Sequence, residues 1–465
     1  MSLWTTARNI VLALIIVPIL CLWALLGWIL STPFPVAAIG TFVIVGGLSI
    51  ASSMYDAWII TSGALVLLVL FRNMPIAQAV VVAAALAVDI YRRTIVLHDK
   101  PALLDVQTVL SCVLIVWTWL CLLRLWIPAR VEKLIELEDE LYKSQIMTNY
   151  TIDVVAGLGT VYVPYCGETT NDTLPPLTLV LVHGYGAGNG LWANNLQHLA
   201  KHFNVYAVEW HGIGRSDRPA PPKTYEDAET FFVGSIERWR QALGLNKIIL
   251  CGHSMGGIFV TNYALQYPNR IEHLILASPA GVPHPPPPSK DWRARIFVNI
   301  VLGWGVTPMT LVRFAGPFGQ RLVQWGLRRR ISWVPSSNVL RTGEMDLELA
   351  CDYIYHNWAS KRSGEVALLT HLGPGATTKR PLRDLILPGQ VPWPVTFIYG
   401  GDGDWMKPDE GQNVVHRLQE HGHFAAFKLI PSAGHQLFLD NPRAFNAAVI
   451  EGVAEGFQSN KFCPS

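Results

Sequence analysis

The sequence predicts an α/β protein: a mostly parallel sheet with helices on both faces, carrying an inserted helical cap and preceded by an apolar helical block. Three observations predict it. Only ten charged side chains fall within residues 1–127. Beyond them, short apolar runs alternate with helix-like stretches. That alternation is broken once, by a proline run leading into a long helical pattern.

The apolar block comes first. Residues 10–30 carry no charge, and about 20 apolar residues suffice for a helix to cross the hydrocarbon of a bilayer. Residues 103–127 are a second candidate, with Asp105 and Arg124 near the ends and Trp117, Trp119 and Trp126 within. Charges and tryptophans at span ends suit membrane interfaces. Shorter apolar runs at 36–54, 57–71 and 76–91 lie between. The first run is too long for a signal peptide's apolar region and lacks a clear small-residue cleavage site. The expectation is a transmembrane helical block over residues 1–127 with four or five spans. It makes the chain a multi-pass integral membrane protein of the endoplasmic reticulum, with a mitochondrial or lipid-droplet-associated membrane as the alternatives. Composition agrees: 51% of residues are hydrophobic and 15% charged, against about 25% charged in soluble chains. A net charge of +2 gives no reason to expect nucleic acid as a partner.

A linker helix is expected over 128–148, where Val131, Leu134, Ile135, Leu137 and Leu141 have roughly helical spacing. Core segments are expected at 149–282 and 392–465. Apolar strands are read at 177–182, 205–208, 246–251, 273–277, 395–399 and 424–430. Helices are read at 225–243, 256–266, 410–419 and 442–455. Continuously apolar strands separated by helices indicate a parallel sheet buried on both faces. The interruption at 283–391 opens with Pro283-His284-Pro285-Pro286-Pro287-Pro288, a stiff extended connector. The rest of that segment reads as a helical cap or lid.

The chemistry-bearing motif is Gly252-His253-Ser254-Met255-Gly256. It lies directly after a strand and directly before a helix, the setting in which G-x-S-x-G makes a strained turn that lifts a nucleophilic serine off the sheet. A serine nucleophile needs a base, and the base an acid that holds its tautomer. In chain order the acid comes after the strand at 395–399, where Asp404 is preferred and Asp402 is the fallback. The base is His435, after the last strand. An oxyanion needs two backbone N–H donors. Met255 supplies one. The other comes from the loop His183-Gly184-Tyr185-Gly186-Ala187-Gly188, from Tyr185 first and Gly186 next.

Several further segments carry a resemblance: LVHGYGAGNGLW at 181–192, GIGRSDRP at 212–219, FVGSIERWRQAL at 232–243, GHSMGG at 252–257, FAGPFG at 314–319, YIYH at 353–356 and the Ser363-Gly364-Glu365 triplet. Through them the chain resembles the alpha/beta-hydrolase-fold lipid enzymes that include N-acyl-phosphatidylethanolamine lysophospholipase, the co-activator of lipid-droplet triglyceride lipase and the mitochondrial cardiolipin-specific deacylases. The resemblance covers about residues 130–457, cap included. It implies an alpha/beta-hydrolase fold and a serine esterase or lipase acting on phospholipid or lysophospholipid acyl esters. It also implies a His-x4-Asp motif, His435 with Asp440, associated in that family with acyl transfer to lysophosphatidic acid. Read from its position alone, Asp440 is a cap for the helix that begins near Pro442. Acyl transfer is therefore the alternative activity, and a non-catalytic co-activator or membrane scaffold the alternative without chemistry. Retention of Ser254 argues for catalysis. The multi-span block departs from the family pattern.

Residues 292–330 hold seven arginines and no acid, interleaved with six aromatic residues. That composition suits contact with anionic lipid head groups or a membrane surface, with Arg328, Arg329 and Arg330 as the densest cluster. No metal and no cofactor are expected. Seven cysteines without a C-x-x-C spacing indicate neither a zinc site nor a disulfide framework, and no sequence feature identifies a protein partner.

Overall fold

The computed structural model describes residues 128–167, 176–287, 291 and 306–462. The chain divides into two units, one of which comprises residues 128–313 and 326–465. This unit holds the sheet and the loops that leave it.

Eight strands form one sheet in the order β1-β2-β4-β3-β5-β6-β7-β8. They are β1 (Thr151–Val155), β2 (Leu158–Val163), β3 (Thr178–Val182), β4 (Asn204–Val208), β5 (Ile248–His253), β6 (Ile271–Ala277), β7 (Val395–Gly400) and β8 (Ala425–Ile430). β1 and β2 form an antiparallel hairpin, and β2 also pairs antiparallel with β4. From β4 to β8 every pairing is parallel. The central strands β5 and β7 are buried at every residue, in keeping with their largely apolar sequences.

The described helices include α1 (Val131–Lys143), α2 (Ala193–Leu199), α3 (Tyr225–Ala242), α4 (Met255–Gln266), α5 (Pro308–Phe314), α6 (Gly319–Ile331), α7 (Leu347–Ala359), α8 (Pro408–Glu420), α9 (Leu437–Asp440) and α10 (Pro442–Phe462). Both faces of the sheet are covered. Val180, Val182, Leu250, Leu274 and Phe397 face the layer of α3, α4 and α8, where Phe232, Phe259 and Leu418 complete the core. Alternate strand positions face the other way. There α10 runs beneath β6 and β7, close enough that a Cβ at Gly452 would press on Thr396. Thr224 starts α3 by accepting the Asp227 N–H with its side chain, one of the helix-end donors that otherwise lack partners.

The linker helix α1 docks on this body. Leu134, Leu137 and Leu141 are buried, whereas Val131 and Ile135 remain exposed, so only part of the apolar stripe is used. The same face carries Glu138, fully buried, whose carboxylate pairs with the Arg215 guanidinium at 2.5 Å and accepts the Tyr142 hydroxyl at 2.7 Å.

One expectation is corrected. Among the described residues, no helix is long and apolar enough to cross a membrane. Of the two longest of these helices, α10 carries Arg443, Glu451, Glu455 and Lys461, and α3 has four acids and two arginines. Both are sheet-covering helices of an α/β domain. The four or five spans assigned to residues 1–127 fall outside the described residues. The fold is accordingly an α/β sheet domain without an established transmembrane block, and the multi-pass integral membrane placement, in the endoplasmic reticulum or elsewhere, is withdrawn.

Candidate active site

All the loops that matter leave the carboxyl edge of the parallel sheet, where open α/β sheets place their sites. β5 delivers Ser254, β3 the 183–188 loop, β7 Asp404 and β8 His435.

Ser254 sits between β5 and α4 at φ 54°, ψ −122°, a conformation that costs a non-glycine residue of order 1–3 kcal/mol. The surroundings hold it there. Its N–H donates to the Ala277 carbonyl, and its own carbonyl accepts the N–H groups of Gly257 and Ala280, all at 2.9 Å. The turn is so tight that a Cβ at position 256 would lie 2.8 Å from the His183 carbonyl oxygen, which is why glycine stands there.

The Ser254 hydroxyl lies 3.0 Å from His435 Nε2, and His435 Nδ1 lies 3.4 Å from Asp404 Oδ1. Donation from the hydroxyl to Nε2 and from Nδ1–H to the carboxylate defines one tautomer. Asp404 accepts three more bonds: Ser278 Oγ and the Gly400 N–H on Oδ2, and the Met406 N–H on Oδ1. Burial pushes its carboxyl up, but the bonds from His435, Ser278 and Met406 outweigh burial and hold it below the usual aspartate range. The fallback acid is placed elsewhere. Asp402 stands on an exposed turn, where its carboxylate accepts the Ser432 N–H at 2.7 Å.

His253, next to the serine, is buried and donates from Nε2 to the His435 carbonyl at 2.9 Å. Burial holds its ring at a pKa of about 3, so it stays neutral. The indole of Trp405, 59% exposed, lies 4.5 Å from the His435 ring, centroid to centroid. It roofs the histidine.

Of the residues expected to supply oxyanion donors, Met255 is the first residue of α4, where helix N–H groups have no partner within the helix. Tyr185 and Gly186 come directly after Gly184, whose added Cβ would stand 2.8 Å from the Ser254 Cβ. The loop is therefore in contact with the serine. A small cleft beside it is lined by Gly186, Arg218, Met309, Arg313, Trp358 and Glu365. Arg313 is paired with Glu365 at 2.5 Å. Arg218 donates to backbone carbonyls, those of Gly212, Gly214 and Lys361.

Asp440 stands apart from the serine. One carboxylate oxygen accepts the Gly434 N–H at 2.9 Å, and the other accepts the Asn338 side-chain amide at 2.7 Å. It does not cap α10; Asn441 does, accepting the Ala444 N–H. Asp440 thus fixes the residue preceding His435 and ties it to the segment between α6 and α7.

Arg328, Arg329 and Arg330 occupy the exposed last turn of α6. Arg328 pairs with Glu348, and Arg329 lies over Trp333, itself 75% exposed.

Sequence reasoning missed Ser278, His253 as a support, and the Asn338–Asp440 bond. Only His253 carried a local signal, its place inside the elbow.

The alpha/beta hydrolase fold model matches residues 178–442. The human (lyso)-N-acylphosphatidylethanolamine lipase is 36% identical over 285 residues, 60% of this chain and 79% of that protein. The human 1-acylglycerol-3-phosphate O-acyltransferase ABHD5 is 36% identical over 277 residues, 59% of this chain and 76% of that protein. A rice protein named "Probable 1-acylglycerol-3-phosphate O-acyltransferase" is 37% identical over 280 residues, 58% of this chain and 66% of its own length.

Proposed function

The chain belongs to the alpha/beta hydrolase family, and from that membership we propose a serine hydrolase that cleaves acyl esters of (lyso)phospholipids or related lipids through Ser254, His435 and Asp404. One observation carries the reading: the hydrogen-bonded line from the Ser254 hydroxyl through His435 to Asp404.

In this reading the Ser254 oxygen attacks the acyl carbonyl while its proton passes to His435 Nε2. Asp404 remains anionic, fixes the tautomer and stabilises the imidazolium. The N–H groups of Met255 and Tyr185, with Gly186 next to them, hold the tetrahedral oxyanion. His435 then gives its proton to the leaving alcohol, and an acyl-enzyme remains on Ser254. Water, activated by His435, releases the fatty acid.

A second reading rests on the relatives named as acyltransferases. A lysophospholipid hydroxyl replaces water at the acyl-enzyme, with no other change. A purely non-catalytic co-activator is disfavoured, because nucleophile, base and acid are all present. The arginine cluster at Arg328, Arg329 and Arg330, with Trp333 beside it, suits contact with an anionic lipid surface.

The test compares wild type with Ser254→Ala. Both are labelled with a serine-directed phosphonate and assayed on a lipid panel by mass spectrometry, with and without a lysophospholipid acceptor. Ser254-dependent labelling and fatty-acid release support the hydrolase. Ser254-dependent acylated acceptor in place of free acid supports the transferase. A folded wild type that neither labels nor turns over removes both.

A further inference from the structure

The loop that carries the second oxyanion donor holds itself only at its start, where the His183 ring bonds the Gly184 carbonyl at 2.8 Å. Its internal backbone bond is a long one, from the Ala187 N–H to the Gly184 carbonyl at 3.4 Å. Gly186 sits at φ +73°. At its start the loop is held from the core, where the Trp210 indole N–H donates to the His183 carbonyl at 2.9 Å; its later residues are held by α7. Trp358 donates its indole N–H to the Gly186 carbonyl at 2.7 Å. Asn357 donates its amide to the Ala187 carbonyl at 3.0 Å, while its own oxygen accepts the Gly214 N–H at 3.0 Å. One turn earlier, the Tyr353 hydroxyl accepts the Gly190 N–H at 3.1 Å. Tyr353, Asn357 and Trp358 all belong to α7, and i, i+4 spacing puts the first two on one face. The helix lies directly on the loop: a Cβ at position 188 would collide with the Tyr353 hydroxyl oxygen.

We propose that α7 is a positioning element for the oxyanion loop, acting through Trp358 and Asn357. The proposal rests on the assignment of the Tyr185 and Gly186 N–H groups as oxyanion donors. A peptide unit is planar, so holding the Gly186 and Ala187 carbonyls sets the orientation of the two peptide planes that come after the donors. That in turn limits rotation at Tyr185 and Gly186. Oxyanion donors act by being aimed in advance at the charge that develops in the transition state. A loop released from α7 keeps its ground-state contacts but loses that aim. The cap is thereby part of the catalytic frame as well as a cover, and the glycines at 188 and 190 reflect the helix lying on them, since a Cβ at either would press on Tyr353.

The experiment uses the full chain with Trp358→Phe, which keeps an aromatic ring but lacks the N–H donor. Asn357→Asp is the second variant: it keeps the acceptor for the Gly214 N–H and loses the donor to the Ala187 carbonyl. Three quantities are read: kcat and KM on a soluble short-chain ester, and affinity for a trifluoromethyl ketone, whose adduct with the serine places an oxyanion in the hole. For each variant kcat falls about tenfold with KM within about twofold, and ketone affinity falls about tenfold in parallel. Wild-type kcat in both variants overturns the proposal while leaving the hydrolase reading intact. So does a loss of kcat with ketone affinity unchanged, since that is the signature of a merely structural role. If Trp358→Phe does not fold, Asn357→Asp decides alone. A wild type that hydrolyses no ester and does not react at Ser254 removes the hydrolase reading and this inference together.

Discussion

Ser278 donates its hydroxyl to Asp404 Oδ2 at 2.5 Å across 126 residues of sequence. With the Gly400 N–H it occupies that oxygen, and so turns Oδ1 toward His435. The two aspartates of the same turn therefore predict different losses. Asp404→Asn places an amide where a carboxylate must accept the Nδ1–H, and kcat falls by about 10³–10⁴. Asp402→Asn weakens an exposed bond to the Ser432 N–H and changes kcat by less than about threefold. Steady-state kinetics on one soluble ester check both. Equal losses would move the acid assignment.

Asp440→Asn tests the His-x4-Asp motif. The carboxylate now accepts from both the Gly434 N–H and the Asn338 amide, and an amide can satisfy only one of these without reorienting. Hydrolysis and transfer then fall together by about tenfold, because the loss of one bond of about 1–2 kcal/mol loosens the His435 loop. Product ratios with a lysophospholipid acceptor are read by mass spectrometry. Loss of transfer alone, with hydrolysis intact, would show that Asp440 acts on the acceptor.

Neutralising the arginine cluster separates lipid contact from chemistry. Arg328, Arg329 and Arg330 changed together to Gln lowers partitioning onto vesicles rich in phosphatidylserine by about 10²-fold, at about 1 kcal/mol per basic residue. Turnover of a soluble ester stays at the wild-type level. Sedimentation with vesicles of rising phosphatidylserine content gives the first number. Equal partitioning of wild type and variant would remove the lipid-surface reading.

The parallel sheet was legible because β5 and β7 are largely apolar runs, as strands buried on both faces tend to be; the buried Thr396 hydroxyl that β7 carries is bonded to His273. The β1–β2 hairpin was not. β1 is largely exposed, so it carries no run of apolar residues to find. The placement of Ser254 and His435 just after strands was legible from turn chemistry, which is local. Asn338 and Asp440 were not legible as a pair: 102 residues separate them, and no spacing rule connects a cap residue to the base loop. The same holds for Trp358 and Gly186. Positioning residues act through contacts that only the fold creates.

The buried pair between α1 and the core predicts a stability loss. Glu138 and Arg215 side chains are 0% and 1% exposed. Burial pushes the Glu138 carboxyl up against the opposing pull of Arg215. Removing one partner strands a buried charge at a cost of about 3–5 kcal/mol. Glu138→Leu falls at the low end, because Glu209 still accepts the Arg215 backbone N–H at 2.7 Å and remains near the cation. The double variant with Arg215→Leu removes the stranded cation but leaves buried Glu209 without it, so its loss is less than the sum of the two single losses and does not vanish. Urea midpoints of wild type, the two single variants and the double variant decide it. A single variant as stable as wild type would mean that α1 docks through its leucines alone.

Buried histidines make stability depend on pH. Burial holds His183 at about 4, and His253, His273 and His371 at about 3. An unfolded histidine titrates near 6.5. Above that value neither state binds the proton and the groups contribute nothing to pH dependence. Below it the unfolded chain takes up protons that the folded chain refuses, so stability falls as pH falls, down to the folded values. Each histidine contributes a slope of about 1.4 kcal/mol per pH unit in that window. His273 isolates one of them, because it is fully buried, bonded to Thr396 Oγ1 at 2.8 Å and remote from the serine. His273→Gln removes the titration but keeps a polar side chain. Its unfolding free energy, measured by urea at several pH values, runs parallel to wild type above pH about 7 and rises relative to it by about 1.4 kcal/mol per unit between about 6.5 and 4. Parallel curves across the whole range would mean that His273 accepts a proton in the folded chain, and that the Thr396 hydroxyl serves as an acceptor for it.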